Sequence, residues 1–346
     1  PNRLYENVPW PGGVEADPEQ IGFRFVEIGR YAGIDDRNSG MGVASGDYDG
    51  DGRFDLLITN LGQQLHSIYN NQTGAEGLEF DHAAARAGVS DIGVGWTGWG
   101  TAWADMDHDT DLDLIIANGS VPVMDPPDDV MQLQFFANLA AQGLPGQLQD
   151  LTNQANLEQL DPMLGRGSAL ADYDNDGDLD VAISTIGGPL VLLRNEQSGG
   201  NWLTVQLEGF QPGALVTAVL EDGRQLLCEV HSGSSYLSSE DPRCHFGLGA
   251  LDSVAELLVR WPGGSESTLK NVKANQFVGV STDSALAETP AEENEIVDPQ
   301  EFEYLLNLKQ GGAGPLTVLP AASPELIRLG EALFWDRELG GNRDVA

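Results

Sequence analysis

The sequence predicts an all-β protein. Its first part reads as a partial β-propeller and its second as a small β-sandwich or barrel-like module. A mostly irregular tail containing a short helix completes it. Three observations lead there. An acidic nine-residue loop occurs three times, each copy followed by a short apolar run rich in β-formers. The phrases around that loop also recur, giving a repeat of roughly 60 residues, the length of a propeller blade. After Asn195 the pattern changes to alternating strands separated by turn signals.

The loops read Asp47-Tyr-Asp49-Gly-Asp51-Gly-Arg53-Phe-Asp55, Asp105-Met-Asp107-His-Asp109-Thr-Asp111-Leu-Asp113 and Asp172-Tyr-Asp174-Asn-Asp176-Gly-Asp178-Leu-Asp180. Carboxylates stand at loop positions 1, 3, 5 and 9. Alternate residues of a tightly curled loop can face one centre. Hard cations with six to eight oxygen ligands require this, and calcium is the usual one. Without a cation such crowded carboxylates would repel one another. The expected carboxylate ligands are Asp47, Asp49, Asp51 and Asp55; Asp105, Asp107, Asp109 and Asp113; and Asp172, Asp174, Asp176 and Asp180. Arg53, Asp111 and Asp178 would add backbone carbonyls. Two to three calcium ions are expected.

An EF-hand is excluded. It needs a bidentate Glu at position 12 and flanking helices, whereas position 12 here is Ile58, Ile116 or Ile183. The runs Leu56–Thr59, Leu112–Ile116 and Val181–Ser184 read as buried strands, so the loops should join strands. Loop two carries Thr110 where the others have Gly52 and Gly177. A β-branched residue is costly at a position that favours positive φ, so a distorted or weaker second site is expected.

Three further phrases define the repeat. Gly40-Met-Gly42, Gly98-Trp-Gly100 and Gly165-Arg-Gly167 precede the loops at constant spacing. Phe25–Ile34, Phe80–Val89 and Leu148–Leu157 form a second set. An apolar pair, one residue, then Asn forms a third, ending at Asn7, Asn71, Asn138 and Asn195. Taken together these resemble the FG-GAP/VCBS repeats, the calcium-binding blades of integrin-α-like propellers, over residues 1–197. Closed propellers have typically four to eight blades. About three blades are read here, so missing upstream blades or an open arc are both expectations, and open edges recruit partners.

The second module shows Asn201–Leu207 as an alternating strand and Ala218–Val230 as a hairpin turning at Asp222-Gly223. Gly233-Ser-Ser-Tyr236, His245-Phe-Gly-Leu-Gly249 and Leu257-Leu-Val-Arg-Trp-Pro-Gly-Gly264 follow. This order resembles the ASPIC/UnbV domain over 198–282, although Gly213-Ala-Leu-Val216 replaces the family's usual GxG strand. Residues 283–322 read as an acidic linker. Within 323–346, Leu329-Gly-Glu-Ala-Leu-Phe-Trp-Asp336 resembles the opening of the di-haem cytochrome c peroxidases. That resemblance implies an alternative role as the accessory N-terminal part of a larger redox enzyme whose haem sites lie beyond Ala346. No CxxCH is present, so no haem is expected on this chain.

Composition narrows the function classes. The 346 residues carry a formal net charge of −37, which argues against nucleic acid and anionic membrane surfaces. No apolar run is long enough for a transmembrane helix, so no membrane insertion is expected, and no signal peptide is visible at Pro1. Cys228 and Cys244 are the two cysteines, readable either as a disulfide in an oxidising compartment or as two buried thiols. Calcium availability places the protein extracellularly, on the cell surface or in the periplasm. The five histidines lack telling partners. His108 occupies an outward-pointing loop position, and His245 reads as structural. Trp96, Trp99 and Trp103 read as inter-blade packing, with a sugar-stacking platform as the alternative. No catalytic motif is found. The expected function is a non-catalytic, calcium-stabilised scaffold binding a protein or glycan partner, or itself through open propeller edges.

Overall fold

In the computed structural model, the described residues are 2–282 apart from 17–20, 76, 127, 156, 158–159, 197–198 and 232. The expected linker, short helix and peroxidase-like segment lie outside them. Among the described residues the chain forms twenty strands and no α-helix.

Each acidic loop joins two strands, as its flanking sequence requires. Blade one is the antiparallel sheet β3(Gly40–Gly46), β4(Asp55–Asn60), β5(Ser67–Asn71) and β6(Phe80–His82). Blade two is β7(Gly98–Ala104), β8(Asp113–Asn118), β9(Gln134–Asn138) and β10(Leu148–Asp150). Blade three, among the described residues, is β11(Gly165–Ala171), β12(Asp180–Thr185) and β13(Val191–Leu193). A separate hairpin, β1(Tyr5–Pro9) with β2(Phe23–Glu27), precedes them. The inner strand β7 lies between β3 and β11, so the blades follow one another in an arc.

The cores lie between blades because facing sheets cover one another, with blade two packed on both of its faces. Tyr48, Leu57, Ile68, Leu114, Ile116 and Phe136 join blades one and two; Ala102, Ile115, Leu133, Leu170, Val181 and Ile183 join blades two and three. All three position-12 isoleucines are buried. The Gly-x-Gly phrase explains how the inner strands approach. A Cβ on Gly42 would stand 2.0 Å from the Trp99 carbonyl oxygen, and one on Gly100 would stand 2.4 Å from the Ser168 nitrogen. Those neighbours are backbone and cannot yield. The register also shifts at this point in every blade, between Gly40 and Val43, Gly98 and Thr101, and Gly165 and Ser168.

The second module is a two-sheet sandwich. One sheet orders β17(Cys244–Gly249), β14(Asn201–Leu207) and β20(Gln276–Val280), with β14 and β20 parallel. The other orders β16(Gln225–Glu229), β15(Leu215–Val219), β18(Ser253–Arg260) and β19(Glu266–Lys273). Leu203, Val216, Phe246, Leu257 and Trp261 fill the space between them. The expected Asp222-Gly223 turn closes β15 onto β16. Of the two readings left open for the cysteines, the disulfide holds: Cys228 and Cys244 are bonded, with Cα atoms 5.8 Å apart. It crosses between the sheets rather than between neighbouring strands of one.

The segment between those cysteines was not assigned a role by its sequence. It inserts along the inner strands of all three blades. Ser235 exchanges backbone hydrogen bonds with Val43, its Oγ accepts from the Thr101 N–H at 2.8 Å, and it also meets Ser168 Oγ at 3.0 Å. Asp241 N–H donates to the Leu170 carbonyl at 3.1 Å. Tyr236 packs edge-on against Trp99.

Candidate metal centres

The loops curl as their alternating aspartates suggest. In each, the position-1 carboxylate accepts the N–H groups of positions 5 and 6, which winds the loop around it. Asp47 receives Asp51 and Gly52 at 2.9 Å each; Asp105 receives Asp109 at 3.1 Å and Thr110 at 2.9 Å; Asp172 receives Asp176 at 3.1 Å and Gly177 at 3.0 Å. The expected distortion at Thr110 does not occur. Thr110 takes φ 82°, beside 85° for Gly52 and 100° for Gly177, and makes the same hydrogen bond. Its hydroxyl also accepts from Arg224 of the second module at 2.9 Å, a contact that helps hold a conformation β-branched residues avoid.

Position 9 is fixed from outside the loop. Asp55 Oδ1 accepts the N–H of Asn71 at 2.8 Å, Asp113 Oδ1 that of Asn138 at 2.9 Å, and Asp180 Oδ1 that of Asn195 at 2.7 Å. The recurring Asn phrase is therefore part of each site, although its spacing from the loop varies too much for the sequence to show the contact. Position 3 is supported by the residue just before that Asn. Asn70 donates to Asp49, and Arg194 Nε lies 2.8 Å from Asp174 Oδ2. The equivalent residue in repeat two is Ala137, so residue type there gave no signal.

The result is three matching triads: Asp47, Asp49 and Asp55; Asp105, Asp107 and Asp113; and Asp172, Asp174 and Asp180. In each, one carboxylate oxygen per residue lies within 4.8 Å of the others. The position-5 carboxylates Asp51, Asp109 and Asp176 stand outside these triads and accept the N–H of Arg53, Asp111 and Asp178. Asp51 also pairs with the Arg53 side chain, and Asp176 with Arg194 at 3.0 Å.

These groups fit a divalent cation. Asp55 Oδ2 and Asp174 Oδ1 are buried without a hydrogen-bond partner, a costly arrangement unless something else satisfies them. Burial first, and repulsion from neighbouring aspartates after it, lifts the carboxyls far above their ordinary range. Asp55 rises to about 8, Asp180 and Asp109 to about 7, and Asp47 and Asp172 to about 6. Asp105 and Asp113 are raised well above the usual value for the same reason. An all-oxygen, all-carboxylate donor set is what hard cations select.

His108 corrects the sequence reading. It does not point outward but is 2% exposed, with its ring 5.2 Å from that of His245 and its Nε2 3.7 Å from Asp178. Burial pushes its pKa down. His245 is structural in the expected sense at one nitrogen, whose Nε2 meets the Gly177 carbonyl at 2.8 Å. Trp99 and Trp103 are packing groups. Trp99 lies beneath the Arg166 guanidinium, 4.1 Å from its centroid, and Trp103 stacks on Tyr48 at 4.8 Å.

Comparison with known proteins agrees with both halves of this description. The FG-GAP repeat family model matches residues 39–75, which hold the first loop and strands β3 to β5. The ASPIC and UnbV family model matches residues 206–287. Cartilage acidic protein 1 from Homo sapiens is 26% identical over 362 residues, covering 87% of this chain and 53% of that protein. The proteins of the same name from Xenopus tropicalis and Mus musculus are 26% and 27% identical, over 81% and 69% of this chain. The chain thus spans about half the length, or less, of these curated relatives.

Proposed function

We propose that this chain is a calcium-stabilised, extracytoplasmic β scaffold with no catalysis of its own, which binds a protein or glycan partner or associates with itself. The observation that carries the reading is the threefold recurrence of one triad at positions 1, 3 and 9, with positions 1 and 9 buried every time. Acidic turns that merely solvate hairpins would not bury their carboxylates against one another in the same geometry three times. The disulfide supports an oxidising compartment. Similarity to cartilage acidic protein 1 supports an extracellular role. Among the described residues no helix is long and apolar enough to cross a membrane.

Calcium in this role holds each loop's strands together, so its binding energy becomes folding energy. Among the described residues β1 and β13 each pair on one side only, with Phe25 on β2 and Leu190 before β13 exposed, which suits edge-to-edge pairing with a partner or a second copy. Elemental analysis of the natively purified protein tests the metal. Two to three calcium ions per chain are expected, and a chain with none overturns the reading. Sedimentation in millimolar calcium then tests self-association.

A further inference from the structure

We propose that the three loops bind calcium cooperatively, coupled in series through the side chains of Asn138 and Asn195, which act as positioning residues. This rests on the calcium reading above. Each of these asparagines serves two sites. The Asn195 N–H holds Asp180 of loop three at 2.7 Å, while its Nδ2 donates 2.8 Å to the carbonyl of Met106 in loop two. The Met106 N–H in turn donates to Asp113 Oδ2 at 3.1 Å. Asp113 Oδ1 is held by Asn138 N–H at 2.9 Å, and Asn138 Nδ2 donates 2.7 Å to the carbonyl of Tyr48 in loop one. An unbroken hydrogen-bonded path therefore runs from the position-9 ligand of site three to the peptide between ligands Asp47 and Asp49.

The position of the bonded carbonyl makes the coupling physical. Tyr48 and Met106 stand at loop position 2, between the ligands at positions 1 and 3. Fixing that peptide fixes the directions of both neighbouring carboxylates. Asn71 Nδ2 donates to Phe54 of its own loop at 3.0 Å, and Asn138 Nδ2 makes the equivalent bond to Leu112 at 3.0 Å, so the bond to the preceding loop is what Asn138 adds. The Tyr48 side chain adds rigidity at the first junction. It is buried, stacks on Trp103 of blade two, and donates its hydroxyl to Asn70 at 2.7 Å. A cation drawing Asp180 into place orders Asn195, which preorders loop two before it is filled. Linkage makes the effect reciprocal, and the coupled loops are joined by direct hydrogen bonds.

The test uses the full chain and calcium alone, titrated calorimetrically in chelator-stripped buffer. Asp174→Asn disables loop three. It should weaken calcium binding at the remaining sites by about five-fold or more, the lower end of ordinary coupling. In an Asn195→Ala background, which keeps the backbone donor, the same substitution should leave them unchanged. Should Asn195→Ala lose the circular dichroism of the native fold, Asn138→Ala with Asp49→Asn asks the same question at the other junction. Coupling is overturned if Asp174→Asn leaves the other constants unchanged, or weakens them equally with and without the Asn195 amide. In either case the wild type still takes up its calcium. A wild type that takes up none overturns the proposed function as well.

Discussion

Replacing Asp55 by Asn separates a cation ligand from a merely acidic turn. Asp55 is fully buried; one oxygen accepts the Asn71 N–H and the other has no protein partner. An amide of the same shape keeps the first hydrogen bond and removes the charge. In chelator this removes the cost of keeping a buried carboxyl protonated. Burial has raised the Asp55 carboxyl to about 8, so near neutral pH it is largely protonated already. A raised folded pKa means that the carboxyl contributes stability below its unfolded value of about 3.9, lost as pH rises through about 8. Asp55→Asn should therefore be close to neutral in chelator near pH 4 and increasingly stabilising as pH rises toward 8, with most of that gain already present at pH 7 because the unfolded carboxyl is ionised there. In calcium the sign reverses. A site saturated at a hundred times its dissociation constant contributes about 2.7 kcal/mol. Losing most of it lowers the melting temperature by roughly 5–10 °C, at about 2–4 °C per kcal/mol for a chain of this size. Differential scanning calorimetry in millimolar calcium and in chelator gives both numbers. An equal shift in the two buffers would refute the reasoning, because it would show Asp55 acting through the fold alone.

Other substitutions probe the rest of the assembly. Gly42→Ala places a methyl against the Trp99 carbonyl, and overpacking against rigid backbone should cost about 3 kcal/mol or prevent folding, read by urea denaturation; a neutral result would mean that β3 and β7 are further apart. Cys228→Ser with Cys244→Ser opens a loop of about 15 residues and should cost roughly 3 kcal/mol, with faster hydrogen exchange at Ser235 and Asp241. Glu240 faces a cavity of about 130 Å³ between that segment and the blades, has an unpartnered Oε1, and is raised by burial to about 7. Its contribution is present at acid pH and lost as pH rises through about 7. Glu240→Gln should thus raise the melting temperature by roughly 2–4 °C at pH 8 and less at pH 5; equal effects at both would refute a titrating carboxyl.

The features legible in the sequence were those encoded within a few residues of one another. Nine residues sufficed to define each acidic loop, because a cation's ligands here come from alternate positions of one turn. The alternation of Asn201–Leu207 marked β14, and Asp222-Gly223 marked the turn between β15 and β16, for the same local reason. The position-12 isoleucines excluded helices after the loops. The undistorted loop at Thr110 could not be foreseen, because the contact with Arg224, 114 residues away, is invisible in the local pattern. His108 was misplaced because its burial depends on loop three and on His245.

What the sequence by itself determined was therefore the blade, its loop chemistry and the presence of a second β module. What only the tertiary structure decided was every relation between those parts. It paired the cysteines across two sheets, set Ser235 among three inner strands, and carried the Asn138 and Asn195 side chains onto the loops before them. The Asn195 bond spans 89 residues and the Asn138 bond 90. Closing contacts at such separations depends on the summed burial of the inter-blade cores rather than on any local preference. A repeat can announce itself in sequence because its own turns recur; the way one repeat grips the next cannot.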